Sequence, residues 1–113
     1  MVPASPRSSH SSKAKLDVLV TEAVADAYDE TEQRIGLLTM IQNNLQLPFE
    51  TTVLGVPVRV QSVDFNKGGE IVVICVRDRH RQAISIIDLP LPSPPPKGAE
   101  WIEAYRRWAG HGF

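Results

Sequence analysis

Three features of this 113-residue sequence predict an α+β fold. Apolar residues recur at spacings of three and four across residues 16–47, with no proline among them, which marks a helix or helix pair. Between residues 49 and 91 the period changes to short apolar runs cut by tight turns, the pattern of a small antiparallel barrel or strongly curled sheet. After a proline block, Trp101, Ile102, Tyr105 and Trp108 return to helical spacing. The architecture expected is an N-terminal helix or helix pair, a small antiparallel SH3-like β-barrel and a short C-terminal helix.

Residues 1–15 hold seven Ser or Pro and, after Met1, Val2 as the one large apolar residue. Such a segment buries too little surface to offset its ordering entropy, so it reads as a disordered tail. Residues 16–113 are then a single helix-plus-barrel domain. In the helical region Gly36 costs about 1 kcal/mol relative to Ala and reads as a break between two helices. Asn43-Asn44 and Pro48 are stop signals.

Val56, Val58 and Val60 alternate with Pro57 and Arg59, as a strand with one buried face does. Val63 and Phe65 fall out of phase with them, which places a bulge near Gln61-Ser62. Asn66-Lys67-Gly68-Gly69 reads as a hairpin turn. Residues 71–76 are apolar on both faces, as a central strand is, Asp78-Arg79 makes the next tight turn, and residues 82–89 follow as a further strand. Residues 90–97 contain five prolines and read as a stiff, extended polyproline II spacer. The last helix is expected from Ala99 to Ala109, with Glu100 and Glu103 in its first turn, Arg106 and Arg107 in its last, and Gly110 as the C′ residue.

Composition excludes several classes. Twelve Lys+Arg against thirteen Asp+Glu leave a net charge of −1, which argues against a general nucleic-acid binder. A single cysteine rules out an internal disulfide. No apolar run suits a membrane span and no signal peptide is evident, so a cytoplasmic location is expected. Zinc, serine-hydrolase and phosphate-loop motifs are absent, Cys75 lies in an apolar strand, and His10, His80 and His111 lie in turns or near the termini. A noncatalytic protein is expected.

Three constellations remain. Glu22, Asp26, Asp29, Glu30 and Glu32 place five carboxylates in eleven residues. Asp26, Asp29, Glu30 and Gln33, related by three and four, would share a helix face. Calcium takes six to eight oxygen ligands, so such a face can form part of a calcium site, while the plainer reading is a solvated acidic face. Asp64-x-Asn66-x-Gly68-x-Glu70 puts oxygen donors at alternate turn positions in a faint echo of a calcium loop, or is simply an Asn- and Gly-rich hairpin. Arg77-Asp78-Arg79-His80-Arg81 gathers three arginines at one hairpin tip, suited to phosphate or an acidic partner, or to keeping a sheet end soluble.

The run Asp26-Ala27-Tyr28-Asp29-Glu30-Thr31-Glu32-Gln33, followed by Asn43-Asn44-Leu45-x-Leu47-Pro48-Phe49, resembles the CcbP-like family of small bacterial calcium-binding proteins. The resemblance runs from about Val20 to Trp108 and includes Gly55-Val56-Pro57-Val58 and the run from Ile84 to Leu89. It implies a noncatalytic calcium-binding module, serving calcium buffering or signalling, with an SH3-like barrel and flanking helices. The candidate ligands of such a module are Asp26, Asp29, Glu30 and Glu32, with Asp64 and Glu70 as loop contributors. The alternative is a protein-interaction module that has lost calcium and binds a protein partner through the barrel surface, the Pro92–Pro96 spacer or the arginine hairpin. A nucleic-acid-contacting barrel is disfavoured by the charge balance, and no membrane partner is expected.

Overall fold

The structure is a computed structural model and describes residues 12–110; most of the predicted tail, His10 and His111 lie outside the described residues. Two helices, α1 (Lys13–Ala23) and α2 (Glu30–Asn44), precede strands β1 (Phe49–Val53), β2 (Val56–Phe65), β3 (Ile71–Arg77) and β4 (His80–Ser85), and α3 (Ala99–Gly110) closes the order. The α+β class and the element order agree with expectation. No helix among the described residues is long and apolar enough to cross a membrane.

Several boundaries differ from the sequence reading. Ser12 caps α1 by accepting the Lys15 N–H, so the helix begins ahead of residue 16. The break between the helices lies at residues 24–29, and Gly36 sits inside α2. Glycine is needed there because the end of α1 crosses close by: a Cβ on Gly36 would fall 2.2 Å from the Ala23 carbonyl oxygen. Gly110 is the last helical residue rather than C′. β1 carries no clear strand pattern in the sequence because its only buried member is Thr51, whose hydroxyl donates to the Pro90 carbonyl at 2.7 Å.

The sheet is an antiparallel meander in the order β1-β2-β3-β4. Its register shifts between Val60 and Ser62, where the phase slip predicted a bulge. No ladder joins β1 to β4; the chain leaving β4 instead crosses to β1, where Thr51 holds Pro90. That crossing is tied to α3 by Arg106, whose guanidinium donates to the carbonyls of Ile86 and Leu89. At the far end of the proline spacer, the Lys97 carbonyl accepts the Gln46 N–H.

One core joins all layers. Leu37 and Ile41 of α2, Ile102 and Tyr105 of α3, and Val60, Ile71 and Val73 of the sheet are buried together. The α3 stripe packs on both N-terminal helices. Tyr105 stacks on Trp108 with ring centroids 5.7 Å apart, and Trp108 lies under the Arg34 guanidinium and donates to Gln33. Arg107 adds an ion pair to Asp17 of α1 at 2.6 Å.

Candidate metal centre

Four of the six expected ligands lie in the α1–α2 connection and the first turn of α2. Spacing placed Asp26 and Asp29 on a helix face with Glu30 and Gln33; the structure places both outside the helix. The physical reason is capping. An aspartate in a helix interior competes with the backbone for hydrogen bonds, whereas at the N-cap it satisfies an otherwise orphaned donor. Asp29 Oδ1 accepts the Glu32 N–H at 2.9 Å, and Glu32 Oε1 reaches back to accept the Tyr28 N–H at 2.8 Å. The exchange is a capping box displaced by one residue. Glu30 spends one oxygen on Arg34 at 3.0 Å. Asp26 lies in the turn and is exposed.

The other two lie on the β2–β3 hairpin, whose hub is Asn66. Its Oδ1 accepts the N–H groups of Gly68 at 2.8 Å and Glu70 at 3.0 Å, and its Nδ2 donates to the Glu70 carboxylate at 3.3 Å. Asp64 Oδ1 accepts the neighbouring Phe65 N–H. The alternating oxygens that suggested a calcium loop thus close the turn on itself.

These carboxylates have the chemistry that calcium takes: exposed oxygens, with Asp29, Glu30, Glu32, Asp64 and Glu70 each using one oxygen in a local bond. Their placement does not close a coordination shell. Among the described residues, no three His, Cys, Asp or Glu side chains converge as a metal centre would require. Cys75 is buried at 3% exposure, and that desolvation raises its thiol pKa above the ordinary value. His80 is exposed on the β3–β4 hairpin.

The structure also shows a feature the sequence did not. On the inner face of the curled sheet, Val53, Val56, Val58 and Ile84 line an open cavity of about 640 Å³ together with Arg77, His80, Gln82 and Asp88. Register puts the strand residues on one face. Alternation in the sequence hinted at the face, but nothing in it indicated the cavity.

No protein of curated function matches the chain in sequence. Two solved structures share its fold. The crystal structure of Anabaena CcbP is 16% identical, covering 93% of this chain and 97% of that one, with a TM-score of 0.69. A calcium-binding protein in its calcium-binding form is 15% identical, covering 89% of this chain and 94% of that one, with a TM-score of 0.70. The model of the CcbP family, described as calcium binding, matches residues 17–109. With that match spanning most of α1, all of α2, the whole sheet and nearly all of α3, the chain belongs to the CcbP calcium-binding family.

Proposed function

We propose that the chain is a noncatalytic calcium-binding module of low affinity, serving calcium buffering or signalling. The observation that carries this reading is the family match over residues 17–109. The ion is assigned to the α1–α2 connection, through Asp26, Asp29, Glu30 and Glu32, with Asp64 and Glu70 as secondary contributors. Low affinity follows from the geometry. The carboxylates must leave or share their capping and ion-pair bonds, and no preformed shell repays that reorganisation. Sites that lack a rigid, preformed shell bind calcium with dissociation constants on the order of 10⁻⁴–10⁻³ M.

The test is a calcium titration followed by backbone amide shifts. Calcium carried to about 10 mM, roughly ten times the weak end of that range, is expected to move the amides of residues 26–32 and to raise the melting temperature. Magnesium, which demands near-octahedral geometry and dehydrates reluctantly, is expected to do less. No amide shift and no change in melting across the titration would overturn the reading.

A further inference from the structure

An antiparallel meander puts its first and third turns at one end of the sheet and its second at the other. The β1–β2 turn is Leu54-Gly55, between the paired residues Val53 and Val56, and the β3–β4 turn is Asp78-Arg79, between Arg77 and His80. The two turns therefore stand side by side, two strand spacings or roughly 10 Å apart. Leu54, Arg77 and His80 accordingly border one cavity.

Leu54 is out of place by two measures. It is 97% exposed, and its φ of 51° lies in the left-handed region that side chains rarely adopt. With Gly55 at 79°, the turn has positive φ at both central positions, where Asn-Gly is the preferred pair. An asparagine would ease the backbone and suit water, so the fold does not account for the leucine.

The neighbouring turn is basic. Arg34 pairs with Glu30, Arg59 with Glu50 and Arg107 with Asp17, while Arg106 holds the carbonyls of Ile86 and Leu89. Arg77, Arg79 and Arg81 are exposed and make no ion pair among the described residues. Register sets Arg77 and His80 on the cavity side of the sheet and Arg81, opposite Val76, on the other side, with Arg79 in the turn itself. Arg77 and Arg81 thus flank the tip from both faces. Arg81 stands one residue, about 3.3 Å, further from the end, a gap that a long arginine side chain spans. Of the nearby acids, Glu50 is spent on Arg59, and Asp88 lies on the crossing beyond β4, where it favours the charged form of Arg106. At the tip itself, three guanidinium groups stand against the carboxylate of Asp78.

We propose that this end of the sheet docks on an anionic lipid surface, Leu54 entering the boundary between headgroups and acyl chains while Arg77, Arg79 and Arg81 meet lipid phosphates. Shape selects the occupant. A leucine this exposed protrudes, and two turns of two residues each offer far less than the roughly 800 Å² per partner of a stable protein interface. A bilayer needs no matching contour, and its interface accepts an apolar tip flanked by basic side chains. Such docking is peripheral and needs no spanning helix. Composition pointed to no membrane partner because the two turns are far apart in sequence, and only strand pairing brings them together.

The experiment is co-sedimentation of the full chain with lipid vesicles in EDTA, so that its outcome is independent of the calcium reading. At roughly 5 mM lipid, where weak and reversible binding registers, phosphatidylcholine vesicles carrying about 30% phosphatidylserine are expected to bring down several times more protein than phosphatidylcholine alone. The excess is expected to shrink at roughly 0.3 M salt, where screening shortens the reach of surface charges. Leu54→Asn is expected to keep or raise the melting temperature and to weaken vesicle binding about tenfold. Arg79→Glu is expected to weaken binding by at least about tenfold, whereas Lys67→Glu, the same charge change on the exposed turn at the opposite end of the sheet, is expected to leave it within about twofold. Equal binding to neutral and anionic vesicles, or a loss in Lys67→Glu that matches Arg79→Glu, would overturn docking by this end. Leu54→Asn binding as the native chain does would reduce the contact to polyanion attraction, of the kind an acidic protein or a nucleic acid would share, and would overturn the proposal. A fall in the melting temperature of Leu54→Asn would overturn it as well, by showing that the leucine serves the fold.

Discussion

Gly36→Ala separates two accounts of the N-terminal helices. If Gly36 marked a break, alanine would strengthen a weak spot, and even inside a helix propensity alone favours alanine by about 1 kcal/mol. The structure gives the opposite sign. The new Cβ would lie 2.2 Å from the Ala23 carbonyl oxygen, so restoring an ordinary separation of about 3.5 Å means moving the end of α1 by about 1.3 Å. The helix is not free to move that far. Leu16 is buried in the core, and Asp17 is paired with Arg107 across α3. Overpacking of this kind costs about 1–3 kcal/mol, and its upper half outweighs the propensity gain, leaving a net loss of about 1–2 kcal/mol. For a chain of this size that lowers the melting temperature by roughly 4–8 °C. Urea unfolding is expected to show a lower midpoint with an unchanged slope. Because Ala23 is the last residue of α1, the largest amide shifts in the folded variant are expected at residues 23–30, the stretch that carries the candidate ligands. An unchanged or raised melting temperature would refute the close crossing.

Three further outcomes follow from single contacts. Asp29→Asn keeps a side-chain oxygen for the cap but loses the charge; stability in EDTA is expected to change by no more than about 0.5 kcal/mol, while the calcium midpoint rises about tenfold. An equal calcium midpoint would remove Asp29 from the ligand set. Thr51→Val deletes the donor that holds Pro90 at nearly constant volume, and urea unfolding is expected to report a loss of about 0.5–1.5 kcal/mol. Cys75 sets an alkaline limit: its folded pKa is raised by burial above the ordinary 9.0, so above that pH the unfolded chain gives up its proton first and stability falls as pH climbs. Unfolding curves at rising pH are expected to show this loss in the native chain and not in Cys75→Ala; parallel losses would refute it.

How much was legible in the sequence depended on whether a signal was local. The bulge between Val60 and Ser62 was readable because a phase slip in a period-two pattern has few other causes. The hairpin turns at Asn66–Gly69 and Asp78-Arg79 were readable because their residues favour tight backbone, and Asp78 does adopt a positive φ of 55°. The aromatic stripe of α3 was readable from its spacing. The acidic helix face that the spacing predicts does not form. Residues 24–29 continue the helical spacing without proline or glycine, so periodicity ran straight through a turn that Asp29 creates by capping α2.

Local chemistry in the sequence alone thus determined the α+β class, the order of helices, strands and final helix, and a concentration of carboxylates near Tyr28. Only the tertiary structure decided what those carboxylates face and what Gly36 is for. The first depends on which backbone donors the cap leaves unsatisfied, and the second on where one helix crosses another. The cavity on the inner face of the sheet was likewise settled in three dimensions, because strand register rather than any single residue brings Val53, Val56 and Val58 onto the face that carries Arg77.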